Sequence, residues 1–115
     1  AAAVRTLLGQ GHRPDAIIAA NAQVALGVLD ELVAVGCRIP EDVGVAAVDD
    51  PFPASSFLPR LTIVEQPGYA MGKAAVELLT ARLDPARRAE PPRETIFEAT
   101  LKIGTSCGEP LGDAG

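Results

Sequence analysis

The sequence predicts an α/β fold, a mainly parallel sheet flanked by helices. Short apolar runs of strand length (16–20, 43–48 and 61–65) alternate with longer stretches of helical spacing (22–35 and 67–83). The run 43–48, V-G-V-A-A-V, is almost wholly apolar and bounded by turn signals. That pattern reads as a strand buried on both faces of a parallel sheet.

Each element follows in order. Residues 1–8 are helical in composition and stop at Gly9 and Gly11. The chain opens Ala1-Ala2-Ala3 without Met, so this stretch is expected to be the end of a longer helix. Arg13-Pro14-Asp15 is a turn, 16–20 (A-I-I-A-A) a short buried strand, and Asn21 breaks it. In 22–35, Leu26, Leu29 and Val33 keep helical spacing with Val28, Leu32 and Val35 beside them. Gly36 suits the C′ position. Pro40-Glu41-Asp42 is a polar breaker before 43–48; Asp49, Asp50 and Pro51 end that strand. Residues 50–60 hold three Pro and two Ser, which predicts a loop with one helical turn at 54–57. Residues 61–65 are strand-like. Pro67 suits the first turn of a helix running to about 83, with Met71, Ala75, Leu78, Leu79 and Leu83 as its inner side. A loop rich in Arg and Pro spans 84–92. Residues 93–105 alternate enough for one or two strands, and 109–115 are expected to be a disordered tail. Apolar strand exceeds covering helix, so part of the layer is expected from further sequence or another chain.

Composition excludes several classes. The chain carries a net charge of −5, only two Lys, and few aromatics. Nucleic-acid binding needs a clustered basic face, so this segment is not expected to touch DNA itself. No run approaches a membrane span and no export signal opens the chain. Cys37 and Cys107 match no motif spacing and point to a reducing compartment. His12 has no partner at metal spacing. There is no Gly-rich phosphate loop, no Cys-x-x-Cys and no nucleophile elbow. Ser55-Ser56 has no identifiable base. No catalytic constellation, cofactor or metal site is therefore expected.

Three positions could face a ligand. Asn21 lies between strand and helix, where its oxygen can cap the helix or its amide can point into a cleft. Asp49 and Asp50 sit at a strand's carboxyl end, where open α/β sheets bind ligands and where turns also begin. A carboxylate there can accept hydrogen bonds from vicinal sugar hydroxyls. Gln66 ends the strand 61–65 and is either a loop residue or a further amide facing the same cleft.

Several blocks, taken in order, resemble one family. P-D-A-I-I-A-A-N (14–21) with Ala25-Leu26-Gly27 resembles a strand-to-helix segment of LacI/GalR-type transcriptional regulators. R-I-P-E-D-V-G-V (38–45) through Asp49-Asp50 resembles that family's next strand. L-T-I-V-E-Q-P (61–67), with Met71-Gly72 and A-V-E-L-L (75–79), continues the pattern, and 101–107 sits where the last strand ends. The resemblance covers nearly the whole chain.

It implies the C-terminal part of a periplasmic-binding-protein-like (type I) effector domain, spanning 1–108. Residues 1–58 would belong to the C-terminal lobe, 61–84 to a crossover strand and an N-terminal-lobe helix, and 93–107 to the return strands. By the resemblance, Asn21, Asp49 and Gln66 match effector-binding positions, and Leu26 and Phe57 match the dimer interface. A sugar-like effector, a homodimer or higher self-association, and a cytoplasmic location are implied. Operator DNA would be met only through an N-terminal helix-turn-helix absent from this segment. The chain departs from the family at Ala22, where Asp is usual, at Val48, where an aromatic is usual, and at Ile103-Gly104-Thr105, where an Arg is usual. Two alternatives stand beside this reading. One is the sugar-binding protein of a transport system. The other is a Mg²⁺-dependent phosphoacceptor or enzyme built on Asp49-Asp50, for which Lys102 is the one candidate cationic partner.

Overall fold

A computed structural model describes residues 2–11, 13–50 and 59–108. Ala1, His12, residues 51–58 with Ser55, Ser56 and Phe57 and the helical turn expected at 54–57, and residues 109–115 lie outside the described residues. The elements are α1 (Ala2–Gly9), β1 (Ala16–Ala19), α2 (Ala22–Ala34), β2 (Gly44–Val48), β3 (Thr62–Glu65), α3 (Gly68–Leu83) and β4 (Thr100–Lys102). Their kinds and order follow the α/β expectation, and boundaries differ by a residue or two. Within 93–105, regular strand is confined to β4. No helix among the described residues is long and apolar enough to cross a membrane.

The strands form one sheet in the order β1-β2-β3-β4. β1 and β2 are parallel, with Ala16 against Gly44 and Ala19 against Ala47. β2 and β3 are also parallel, but their pairing starts only at Ala46 against Thr62. The chain divides into two compact units, one of Ala1–Glu65 with Leu101–Gly115 and one of Gln66–Thr100. The first unit holds the hydrophobic core; the second holds α3 and the segment after it.

In the first unit, alternation along the strands sends Ile17, Ala19, Val45, Ala47 and Ile63 toward α1 and α2. One cluster joins Val4, Val28, Leu29 and Leu32 of the helices to Val43 and Val45. Burying each such Val or Leu contributes about 1.5–3 kcal/mol relative to exposure. A second cluster, at the carboxyl ends of the strands, is built mostly of alanine: Ala19, Ala25 and Ala47 with Ile63. These small side chains let the first turn of α2 lie close to the strand ends.

Two sequence expectations need correction. β1 is not buried on both faces: Ile18 is 78% exposed. β1 is an edge strand, and the face that Ile18 shares lies away from α1 and α2. β2, an interior strand, is buried or half-buried throughout. In α3 no residue is buried, and Met71, Leu79 and Leu83 of the expected inner side are exposed. The half-buried line is instead Ala70, Ala74, Leu78 and Ala81. Apolar residues surround this helix, Tyr69 and Val76 included, so spacing alone could not select a face.

Residues 104–106 clasp the sheet where β2 and β3 diverge. Thr105 and Ser106 N–H groups donate to Arg60 O, and the Gly104 N–H donates to Thr62 Oγ1 at 3.0 Å. Ser106 is fully buried. Its Oγ accepts from Thr62 N at 2.8 Å and donates to Val45 O, while its carbonyl accepts from Val45 N at 2.8 Å. Gly104 is fixed by the closeness of this crossing: a Cβ there would overlap Arg60 O and lie 2.6 Å from the Leu61 carbonyl.

Salt bridges brace the same unit. Glu31 is 4% exposed and accepts from Arg5 Nε at 2.7 Å and Nη2 at 2.9 Å, tying α2 to α1. The loop into β2 is closed by Asp42, whose carboxylate takes Arg38 N at 2.8 Å and the Nε and Nη2 donors of one edge of the Arg38 guanidinium. These arginine hydrogen bonds hold the Asp42 carboxyl far below the usual carboxylate range and lower that of Glu31, against the opposing effect of burial.

Backbone overlap at Gly104 makes Gly104→Ala destabilising by at least about 1–3 kcal/mol. Gly72→Ala in α3, where a Cβ meets nothing within 4 Å, should stabilise by roughly 0.5–1 kcal/mol. Urea midpoints of the two variants check this. For Glu31 the folded pKa lies below the ordinary 4.5, so its contribution is full above that pH and is lost as pH falls through the depressed value. Glu31→Gln should lower the neutral-pH midpoint and flatten its fall below pH 4.5; parallel curves for the two proteins would contradict this.

Candidate functional site

Asn21 and Asp49 stand at the carboxyl ends of adjacent parallel strands, Asn21 just beyond β1 and Asp49 directly after β2. This is the edge at which open α/β sheets hold ligands. Asn21 is extended, with φ −161° and ψ 171°, and its side-chain oxygen accepts from Val24 N at 2.9 Å. The two readings of Asn21 therefore divide between its polar atoms. The oxygen caps α2, and the amide nitrogen retains two donors.

Asp49 has φ +62°, the only non-glycine residue with positive φ among those described. Its N–H donates to Val64 O at 2.9 Å, so the β2–β3 ladder continues through it while the chain turns left-handed. A left-handed conformation costs most L-residues about 1–2 kcal/mol, and Asp and Asn bear it best. Such an outlier at a strand's carboxyl end is the kind of local strain that collects at ligand sites. Asp50 is half-buried beside it.

Gln66 follows β3 and is exposed; its carbonyl accepts from Gly68 N at 2.8 Å at the start of α3. It belongs to the second unit, whereas Asn21 and Asp49 belong to the first. Leu26 is half-buried on α2, outside both core clusters, and Phe57 lies outside the described residues. Lys102, considered as a partner for the acid pair, bonds Glu65 Oε2 at 2.7 Å. Among the described residues no three His, Cys, Asp or Glu side chains are placed to share a metal ion.

Sequence reasoning missed two features that shape this edge. One is the Ser106 hydroxyl, which completes the junction of β2 with β3. Its one sequence signal is the run of small residues Gly104-Thr105-Ser106, which overlaps the departure from the family pattern at Ile103-Gly104-Thr105. The other is the left-handed turn at Asp49, foreshadowed by an Asp-Asp-Pro sequence that favours turns.

Comparison with known proteins gives one consistent answer. A family model described as a periplasmic binding protein-like domain matches residues 1–107. A lactose operon repressor from Rhizobium radiobacter is 38% identical over 102 residues, covering 85% of this chain and 89% of that sequence. A LacI-family transcriptional regulator from Sanguibacter keddieii superposes with a TM-score of 0.83 at 35% identity, over 94% of this chain and 40% of the other. A complex of the transcriptional regulator CelR with cellobiose gives a TM-score of 0.79 at 35% identity, over 91% of this chain and 32% of the other. The chain thus spans about a third of the length of these solved regulators.

The capping role of Asn21 can be tested by stability alone. Asn21→Asp keeps the capping oxygen and should change stability by only a few tenths of a kcal/mol, whereas Asn21→Ala should cost about 1 kcal/mol. Thermal unfolding separates the two; equal losses would show that the cap contributes nothing. The family model, the Rhizobium repressor and the LacI-type structures coincide on one assignment: this chain belongs to the LacI-type transcriptional regulators and forms part of their periplasmic-binding-protein-like domain.

Proposed function

We propose that this chain is an effector-sensing and dimerisation segment of a cytoplasmic LacI-type regulator. It acts allosterically and performs no catalysis. The carrying observation is the pair Asn21 and Asp49 on adjacent strand ends, one presenting amide donors and the other a carboxylate acceptor. Together they match the alternating donor and acceptor character of vicinal sugar hydroxyls. Gln66 is assigned as a further effector contact, and Leu26 and Phe57 as dimer contacts. In this reading residues 1–58 form C-terminal-lobe structure, 61–84 cross to the other lobe, and the return strands come back.

The effector class rests on the relatives: one is named a lactose operon repressor and another is complexed with cellobiose. A sugar-like effector follows for this chain, bound without the stacking face that an aromatic at Val48 would supply. A carboxylate that loses its hydroxyl partners leaves a costly unpaired acceptor, so Asp49 discriminates between ligands as well as binding them. The effector shifts a two-state equilibrium between DNA-competent and DNA-incompetent dimers. A tenfold shift requires about 1.4 kcal/mol of differential binding, which one or two hydrogen bonds supply. Operator contact falls to a helix-turn-helix outside this segment. The relatives are regulators, which favours this reading over a transport protein; a helix-turn-helix encoded upstream, rather than an export signal, is the expected confirmation.

Asp49→Asn gives the direct test in the full-length regulator. Asn tolerates the left-handed backbone, so unliganded thermal stability should stay within about 0.5 kcal/mol of the parent. The stabilisation produced by the effector, screened first with lactose and cellobiose, should fall by about 1.5–3 kcal/mol of binding energy, the worth of a charged hydrogen bond. An undiminished ligand-induced shift would remove Asp49 from the site.

A further inference from the structure

In the second unit, three arginines converge on one glutamate. After α3, two successive turns fold the chain back: Ala86 N donates to Asp84 Oδ1 at 3.0 Å, Arg87 N to Asp84 O at 3.0 Å, and Glu90 N to Arg87 O at 3.1 Å. Glu90 is thereby set beside the end of α3. Its carboxylate accepts from Arg87 Nε at 3.0 Å and from Arg93 Nη2 at 3.1 Å, and its carbonyl accepts from Arg82 Nη2 at 3.3 Å. Beside this cluster is a cavity of about 110 Å³, walled by Leu78 and Ala81 of α3 and by Pro91-Pro92.

The charge balance is unusual for this molecule. The chain as a whole is at −5, yet residues 82–94 carry four Arg against Asp84, Glu90 and Glu94, and three of those guanidiniums bond to Glu90. Each guanidinium carries five N–H donors in a planar fork, and the bonds to Glu90 use only a few of them. Arginine, unlike lysine, matches the paired oxygens of phosphate and carboxylate groups. The groups also come from three kinds of local structure: the last turn of α3, a turn and a segment without regular structure. One planar carboxylate neutralises only part of that charge, whereas a tetrahedral dianion accepts from several directions and balances more of it. The carboxyl end of a helix disfavours an anion, but only weakly compared with charge-assisted bonds from two or three arginines.

We propose that Arg82, Arg87 and Arg93 form a receptor for a phosphate group, with Glu90 as a built-in carboxylate that competes for it. The cavity has room for one phosphoryl group, and its residues belong to the second unit, whereas Asn21 and Asp49 belong to the first. The phosphoryl group comes either as the free ion or on a small metabolite. Incoming phosphate displaces the Glu90 carboxylate from Arg87 and Arg93 and takes up their donors.

Calorimetric titration of the full chain with inorganic phosphate, at constant ionic strength set with chloride, tests the proposal. Saturable binding is expected. Substituting Arg87→Gln with Arg93→Gln should weaken it by about tenfold or more, the effect of losing charge-assisted bonds. Glu90→Gln should tighten it several-fold by removing the competitor, an effect a purely structural Glu90 would not produce. Circular dichroism confirms that α3 persists in each variant, and Arg93→Lys, which keeps the charge but not the fork, provides a milder second variant expected to weaken binding. Glucose 6-phosphate binding at least as tightly as the free ion identifies a phosphorylated metabolite as the source; preference for the free ion identifies phosphate itself, and both outcomes uphold the receptor. Phosphate heats no different from chloride, or unchanged binding in the Arg87→Gln, Arg93→Gln protein, would overturn it.

Discussion

The first unit depends on one hydroxyl. β2 and β3 pair only from Ala46 and Thr62 onward, so the backbone just before that point would face an unfinished ladder. Ser106 supplies the missing rung: its Oγ takes the Thr62 N–H and gives its proton to Val45 O, and its own carbonyl takes the Val45 N–H. An apolar side chain at 106 would leave the Thr62 N–H without its acceptor, at about 1–3 kcal/mol, and Val45 O with only the weak thiol donor of Cys107. The cost would be felt at the carboxyl ends of the strands joined here, where Asp49 follows β2. The absence of a side chain at Gly104 serves the same junction, since nothing larger fits between residue 104 and the 60–61 backbone.

Local order and ligand chemistry share atoms at the cleft edge. The oxygen of Asn21 holds the first turn of α2, and the alanines beneath that turn bring it close to the sheet. The amide donors of Asn21 are therefore fixed by the same bond that starts the helix. Asp49 is fixed differently: its N–H is held by Val64 and its backbone is left-handed, so its Cα position is set by β3. Rigid presentation matters because loss of side-chain freedom on binding costs about 0.5–1.5 kcal/mol per mobile side chain.

The sequence made the element order legible because run length and punctuation are local properties. An apolar run of six between Asp42 and Asp49 has room for little besides a strand, and Asn21 before an apolar-periodic stretch is a cap by its chemistry. Exposure was not legible in the same way. Ile17 and Ile18 are chemically alike, and only the position of α1 and α2 on one face of an edge strand separates them. In α3, apolar residues on every side left the face undetermined. At the site, the resemblance supplied Asn21 and Asp49, and the strand ends supplied their adjacency. The left-handed turn at Asp49 and the role of Ser106 depend on contacts with β3 and Val45, which lie far away in sequence.

The two crossings between the units leave the first unit from neighbouring points. β3 ends at Glu65, the return segment re-enters at Leu101, and Glu65 Oε2 meets Lys102 Nζ at 2.7 Å across that gap. Both side chains are about half exposed, so this pair contributes at most about 1 kcal/mol. That is too little to hold either crossing by itself, and the burden passes to the buried bonds around Thr62 and Ser106 two to four residues further in. The consequence is a gradient: a weak, solvent-screened contact where the chain leaves the unit, and an unyielding hydrogen-bonded junction just behind it.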